Sequence, residues 1–372
     1  MLLKSLAKIE PREWTGSAAG VETTLHQLSP YIGKIKSTIA ASLISRFTRK
    51  GDSVCDPFSG SGTIALEAWL AGRRVTANDS SPYANLLTRA KLFPYASVKH
   101  AFADIEDVAK LADKTADKFD LRRVPLWVRQ FFHPETLREI LTWNSILSSR
   151  DLYFLRSCLM GILHHQRPGF LSFPSSHTVP YLRRKKFPRS RFPRLYEYRS
   201  LRDRLERKVS RAFRRIPDLD TNLDRACFRE DAARFIPSGR VDAVITSPPY
   251  MRQLNYGRDN RLRLWLLGVA DWKRLDEHIS PSEKNFLTLI RSCLALWRPT
   301  LLPNGRCVLI LGDTWSRLYD LSLPDVVETI AVAELGGYTV ECRYCEEIPM
   351  LRRVRRGYCG SQSETILVLA VK

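Results

Sequence analysis

The chain has 372 residues, of which 44% are hydrophobic, enough for one large globular domain or two ordinary ones. Its formal net charge is +20, and such a field favours a polyanion such as nucleic acid over a merely soluble basic surface. No apolar run approaches the roughly 18 residues that cross a bilayer, and the N-terminus lacks a continuous apolar signal core. The eight scattered cysteines fit reduced thiols better than a disulfide framework. We therefore expect no membrane partner and a cytoplasmic location.

The first elements are an arm and a helix. Residues 1–25 have weak periodicity and predict an N-terminal arm or covering segment. Apolar residues at helical spacing (Ile39, Leu43 and Phe47) predict a helix over residues 38–47.

Residues 52–79 then predict a strand, a glycine-rich turn, a helix and a second strand. Gly60 and Gly62 allow a tight turn and close approach of a ligand. Thr63 opens the predicted helix, Gly72 ends it, and Asp79 stands where an acid can bond ribose hydroxyls. Nicotinamide, flavin and S-adenosyl-L-methionine (AdoMet) sites all use such turns.

Two details of this turn favour AdoMet. The third glycine of the dinucleotide fingerprint is missing, and Asp56 precedes the turn. A carboxylate there repels a pyrophosphate but suits a ligand with a positive sulfonium and ammonium.

The middle of the chain is helical and then strongly basic. Helices are predicted over residues 82–92, 101–119 and within 130–165. Residues 183–215 then hold fifteen Lys and Arg against three acids, with aromatic residues interleaved. This pattern is typical of phosphate and base contacts, and a solubilising helix with a disordered loop is the alternative. Within the run we predict a helix over 200–214 with its charges facing outward, and nucleic-acid contacts at Arg183, Arg184, Lys185, Lys186, Arg189 and Arg191.

No metal is expected. His164, His165 and His177 lack Cys or acid partners at ligand spacing, and Cys342 and Cys345 form a single pair without a matching second pair.

The C-terminal half alternates strands and helices. Strands are predicted over 227–231, 240–246, 302–313, 338–346 and 364–371, and helices over 258–268, 284–297 and 325–336. This order predicts a doubly wound α/β sheet with an antiparallel strand at its end, because the last two strands have no helix between them. The carboxyl ends of its strands should bring together four polar side chains: Asp56, Asp79, Asp231 and Ser247.

Two motifs carry a family resemblance. Residues 56–63 (DPFSGSGT) and 247–250 (SPPY) resemble motifs I and IV of the amino-directed DNA methyltransferases. The resemblance covers roughly 26–92 and 225–372. It implies a Rossmann-like AdoMet-dependent methyltransferase fold, with residues 26–94 and 225–372 forming the catalytic domain. It also implies that the inserted residues 95–224 form a largely helical DNA-binding and target-recognition region.

The resemblance assigns roles to individual residues. AdoMet, which becomes S-adenosylhomocysteine, is expected to contact Tyr31, Lys34, Asp56, Pro57, Phe58, Gly60, Gly62, Thr63, Asp79 and Asp231, with Glu230 as the alternative to Asp231. Ser247 and the Pro248 carbonyl would accept the N–H bonds of the target amine. Pro249 stiffens the motif, and Tyr250 stacks on a flipped base.

Serine in the first position of motif IV favours N4-methylation of cytosine. The alternatives are N6-methylation of adenine, methylation of an RNA amino group, and an inactive nucleic-acid-binding relative. Double-stranded DNA is the expected partner, which implies nucleoid association in a bacterial or phage setting, and a cognate restriction endonuclease is a further candidate partner.

Overall fold

The structure is a computed structural model. It describes residues 22–115, 119–165, 169–173, 187–249, 256–279, 282–347 and 363–371, and of residues 278 and 279 the backbone only.

A seven-stranded sheet forms the centre of the protein. Its strands are β1 (Ser53–Asp56), β2 (Arg74–Asn78), β3 (Arg225–Phe228), β4 (Val241–Thr246), β5 (Leu301–Gly312), β8 (Tyr338–Glu347) and β9 (Ser363–Val371). Their spatial order is β3-β2-β1-β4-β5-β9-β8, and β1 to β5 run parallel. The predicted Rossmann-like, doubly wound α/β fold is confirmed.

One detail of the prediction is wrong. The antiparallel strand is β9, which lies one place in from the edge, because it inserts between β5 and β8 and pairs antiparallel with both. The segment Cys307–Leu311 is buried, so the alternating pattern that marks a half-exposed strand is absent from it.

Thirteen helices are described around the sheet and the insertion. They are α1 (Ser37–Phe47), α2 (Thr63–Leu70), α3 (Pro82–Leu92), α4 (Val98–Asp113), α5 (Leu126–Arg129), α6 (Pro134–Ser149), α7 (Tyr153–Ile162), α8 (Leu201–Ala212), α9 (Tyr256–Asp259), α10 (Arg261–Leu266), α11 (Trp272–Ile279), α12 (Glu283–Thr300) and α13 (Leu323–Thr329). A π-helical turn, Ile330–Glu334, follows α13, and a short hairpin joins β6 (Trp315–Ser316) to β7 (Leu321–Ser322).

The two faces of the sheet bury two separate apolar clusters. Val308 and Ile310 of β5 point into one, and Leu309 and Leu311 point into the other. The first cluster also contains side chains from the insertion, including Leu159 of α7 and the Leu201, Leu205 and Val209 face of α8. The described part of residues 95–224 thus shares a core with the sheet, and the domain boundaries stay a prediction.

Part of the basic run is used inside the fold. Arg199 is buried and donates to the carbonyls of Phe170 at 2.9 Å and Leu195 at 3.1 Å. Lys208 of α8 donates to the Gln27 carbonyl at 2.5 Å, so the prediction that all charges of this helix face outward is wrong there. The reason is that burying Leu201, Leu205 and Val209 turns the neighbouring cations toward backbone carbonyls.

Within the described residues, no helix is long and apolar enough to cross a membrane. The cysteines that the structure describes are free thiols.

Candidate active site

A cleft opens at the carboxyl ends of β1, β2 and β4. Sites for small molecules and cofactors commonly lie at this position in an α/β sheet. Of the residues predicted from the sequence, the cleft brings together Tyr31, Lys34, Asp56, Phe58, Gly60, Thr63, Asp79, Asp231, Ser247 and Pro249. Pro57, Gly62 and Pro248 are buried but are not among the residues lining the cleft, and Tyr250 lies outside the described residues.

The glycine turn needs glycine at both predicted positions. Gly60 and Gly62 have φ of 51° and 72°, in the left-handed region. A Cβ on Gly62 would lie 2.9 Å from the Cα of Thr88, whereas one on Gly60 would rest 3.5 Å from the Tyr31 ring. Gly62 therefore permits close packing of the turn on α3, and Gly60 keeps the floor of the cleft open.

Two residues of α3 hold the turn from below. The Thr88 and Ser59 hydroxyls are 3.1 Å apart, and the Lys91 amine donates to the Ser61 carbonyl. Thr88 and Lys91 are three residues apart on the helix and so face the same side. Lys91 is only 2% exposed, and burial lowers its pKa. Sequence reasoning missed this lysine, because its helix reads as an ordinary amphipathic element.

Asp79 braces the same turn. Its Oδ2 accepts from the Gly60 amide at 2.8 Å, and its Oδ1 accepts from the Ser81 amide at 2.9 Å. A carboxylate oxygen accepts more than one hydrogen bond, so Asp79 can still meet a ribose hydroxyl. The residue therefore has a structural role that its position in the sequence did not reveal.

Asp56 is the buried anion of the cleft. Its Oδ1 accepts a hydrogen bond of 2.7 Å from the Thr246 hydroxyl, which itself accepts from the Phe58 amide at 3.1 Å. Burial raises the pKa of the Asp56 carboxyl to about 7, opposed by the Thr246 bond and reinforced by the nearby Asp79. Near neutral pH the carboxyl is thus poised between its two forms, and a cation in the cleft would favour the charged one.

Ser247 is oriented as an acceptor. Its hydroxyl donates to the Ile310 carbonyl of β5, with 3.3 Å between the oxygens. Once the proton is committed to that carbonyl, the oxygen lone pairs are left for a donor in the cleft. An amine offers such a donor.

Two tyrosine rings line one side of the cleft. The Tyr31 and Tyr256 centroids are 6.1 Å apart, and Tyr31 also lies 5.8 Å from the Tyr83 ring. Tyr256 follows motif IV by six positions, and sequence reasoning missed it because no periodic or motif signal marks it. Burial raises its pKa, with Asp79 and Glu364 contributing, so its hydroxyl stays protonated.

Lys34 provides a positive charge in the cleft, opposite in sign to the Asp56 carboxylate. Its amine donates to the His26 carbonyl at 3.1 Å and lies 4.0 Å from the Glu22 carboxylate. His26 in turn lies 2.5 Å from Glu67, and burial raises the pKa of the Glu67 carboxyl to about 7. This segment therefore carries both signs of charge at one end of the cleft.

The residues present fit AdoMet. A buried carboxyl at Asp56 and an amine at Lys34 match the positive and negative groups of its methionine part. Gly60 leaves the floor of the cleft open. Among the described residues no group of three or more His, Cys, Asp or Glu could hold a metal ion.

Comparison with known sequences points in the same direction. Residues 28–115 match the family model described as UPF0020, RMKL-like, methyltransferase domain. The Type II methyltransferase M.BsoBI of Geobacillus stearothermophilus is 23% identical over 295 residues, which is 70% of this chain and 56% of the relative. This chain therefore carries a segment similar to a methyltransferase domain, and the cofactor prediction agrees with it.

Solved structures give weaker likenesses. TrmN from Thermus thermophilus aligns over 92% of this chain and 50% of its own, with 14% identity and a TM-score of 0.37. The rRNA methyltransferase aviRa from Streptomyces viridochromogenes aligns over 97% of this chain and 93% of its own, with 12% identity and a TM-score of 0.35. The chain spans about half the length of M.BsoBI and of TrmN.

Proposed function

We propose that this protein is an AdoMet-dependent DNA methyltransferase that transfers a methyl group to the exocyclic amino group of cytosine. The observation that carries the proposal is the meeting of Ser247 with Asp56 and the glycine turn in one cleft. Donor and acceptor of a methyl group need to lie within contact distance, and these two parts of the chain are 184 positions apart from Thr63 to Ser247.

The cofactor would be held by charged side chains at matching positions in the cleft. Asp56 and Lys34 would hold the ammonium and carboxylate of AdoMet, and Asp79 and Asp231 remain for hydroxyl and amino groups of the nucleoside part. AdoMet supplies an electrophilic methyl group on a positive sulfur. The protein's contribution is to hold that methyl group beside Ser247.

The substrate half depends on the lone pair of an amine. An exocyclic amine on an aromatic base is a poor nucleophile, because its lone pair is delocalised into the ring. The Ser247 hydroxyl donates its hydrogen bond to the Ile310 carbonyl, so its oxygen can accept one N–H of the base. The Pro248 carbonyl can accept the other, and the two bonds favour a tetrahedral nitrogen whose lone pair faces the methyl group. Serine is a weak base, so the proton leaves to solvent during or after transfer.

Three observations support DNA as the substrate. The sequence similarity is to a Type II methyltransferase. The net charge of +20 favours a polyanion. Arg189 and Arg191 are exposed, which leaves them open to phosphates. A base inside a duplex can reach Ser247 only after rotating out of the helix.

The test is transfer of labelled methyl groups. The protein is incubated with radiolabelled AdoMet and either duplex DNA or structured RNA, and the nucleic acid is digested to nucleosides and separated. We expect label in N4-methylcytosine from DNA. Ser247→Ala should lose most of this label while binding AdoMet with unchanged affinity, because Ser247 is placed to contact the base.

Other outcomes assign other functions. Label in N6-methyladenine would replace cytosine by adenine, and label in RNA alone would overturn the DNA assignment. Nucleic-acid binding without label in any substrate would contradict the enzymatic proposal.

A further inference from the structure

A short hairpin presents two large apolar side chains to solvent. It joins β6 to β7 directly after β5, and Trp315 and Leu318 are 60% and 63% exposed. Leu321 is also partly exposed. Large apolar side chains grouped on one surface element indicate an interaction site, and here three lie within the eight residues of one hairpin.

The hairpin is held rigidly. Glu283, at the start of α12, accepts from the Ser316 hydroxyl at 2.6 Å and from the Leu318 amide at 3.0 Å. The Trp315 indole N–H donates to Asp320 at 3.1 Å. Tyr319, packed behind the turn, accepts from Arg291 at 2.9 Å. The hairpin backbone and the Trp315 ring are therefore held in place, so they have less conformational entropy to lose on binding.

The hairpin lies on the ligand side of the sheet. β5 runs parallel to β4, so its end at Gly312 is on the same edge as Ser247, whose hydroxyl bonds Ile310 two residues earlier. Helix α12 locates the hairpin in a second way. Its residue Glu283 bonds the hairpin, and its residue Leu289 lines the cleft. Six residues of helix rise about 9 Å, so the hairpin is close to the mouth of the cleft.

We propose that Trp315 and Leu318 form a wedge that enters the base stack of duplex nucleic acid next to the target nucleotide. The inference rests on the proposed function, because it concerns how a base reaches Ser247. A flipped base leaves a gap in the duplex, and apolar side chains inserted between base steps fill such gaps and stabilise the unstacked state.

Charge around the hairpin favours a nucleic acid over an apolar protein partner. Arg317 lies exposed between the two wedge residues, and Lys284 is exposed at the start of α12. Of the acids near the wedge, Glu283 and Asp320 accept hydrogen bonds from the hairpin itself, and Asp313 accepts one from Thr365 of β9. A cation flanking an exposed aromatic ring suits a phosphate next to a base step.

The test compares paired and unpaired targets. Single-turnover methylation is measured on a duplex with the target base paired and on the same duplex with the target opposite an abasic site. Trp315→Ala should slow methylation of the paired target on the order of tenfold or more, because unstacking is no longer compensated. On the unpaired target the variant should stay within about twofold of the wild type, since that base is already released.

Two further variants separate a wedge from a structural role. Trp315→Phe keeps a ring and should retain most of the paired-target rate. Leu111→Ala removes an exposed leucine from α4 and should leave both rates unchanged. Equal slowing on both targets, or no slowing on the paired one, would overturn the wedge while the wild type still methylates DNA. A wild type that methylates neither duplex would overturn the proposed function and the wedge with it.

Discussion

Replacement of Thr246 by valine tests how the cleft sets its own charge. The substitution keeps the side-chain volume but removes the hydrogen bond to Asp56 and the one accepted from the Phe58 amide. A buried hydrogen bond to a charged group contributes about 1.5–3 kcal/mol, and 1.4 kcal/mol corresponds to a tenfold change in an ionisation constant. Losing it should therefore raise the pKa of Asp56 from about 7 to between about 8 and 9.

The expected effect on cofactor binding follows from the ionised fraction. At pH 7.5 that fraction falls from about three-quarters to about a quarter or less, so AdoMet should bind about 3- to 25-fold more weakly. Wild-type affinity should rise as pH increases through about 7, and the rise in Thr246→Val should lie at higher pH. The stability of the protein without cofactor should change with pH in the opposite direction and fall as the pH increases. The contribution of Asp56 to stability is full below its unfolded-state pKa of 3.8 and is lost as pH rises through about 7.

Calorimetric titration with AdoMet between pH 6 and 9 measures these affinities. Thr246→Ser keeps the hydroxyl, loses one methyl group and should bind AdoMet with the wild-type pH dependence. Asp56→Asn removes one carboxyl with a pKa of about 7, so the pH dependence that this variant keeps measures the ionisation of Glu67, whose pKa is also about 7, and of the ligand itself. A Thr246→Val protein with the wild-type pH profile would refute the coupling between Thr246 and Asp56.

Three further predictions concern the turn, the catalytic serine and the basic surface. Gly62→Ala should destabilise the protein by about 2–5 kcal/mol in urea unfolding, the sum of the cost of a left-handed backbone and of overpacking against Thr88. Gly51→Ala is also at positive φ but has nothing within 4 Å of the added Cβ, so it should cost only about 1–2 kcal/mol. Equal losses would contradict the packing argument. Ser247→Ala should lower the rate constant for methyl transfer at least tenfold with unchanged affinity for AdoMet in calorimetry; a matching loss of affinity would place the residue in cofactor binding instead. Replacing Arg189 and Arg191 by glutamate should weaken DNA binding and reduce the slope of log affinity against log salt by about 2, and an unchanged slope in fluorescence anisotropy would remove both residues from the DNA surface.

The sheet could be predicted because its strands and turns follow local rules. The apolar run at Val241–Thr246 and the glycine turn at 60–62 each indicate their own conformation, and alternation of strands and helices then fixes the class of fold. The place of β9 could not be read in the same way. Whether the last strand pairs at the edge or inserts beside β5 depends on contacts between distant strands, which local pattern does not contain.

In the candidate site, too, some residues could be predicted from the local sequence and others could not. Asp56, Asp79 and Ser247 could be predicted because each lies at or directly after the carboxyl end of a strand, at the edge of the sheet where ligands bind. The residues that hold these side chains in place could not be predicted. Lys91 acts through a hydrogen bond to a residue 30 positions away, and Thr246 through hydrogen bonds to residues 188 and 190 positions away; such pairs leave no trace in local sequence. The uses of Arg199 and Lys208 inside the fold were hidden because a dense basic run suggests an exposed surface.

The most direct test of the central claim identifies the atom that receives the methyl group. Duplex DNA carrying ¹⁵N at the exocyclic amine of cytosine is methylated with AdoMet bearing a deuterated methyl group, and the nucleosides are analysed by tandem mass spectrometry. The account predicts a product in which the deuterated methyl group and the ¹⁵N leave together in one fragment. A deuterated methyl group on a ring carbon, or on a nucleoside without the labelled amine, would contradict it.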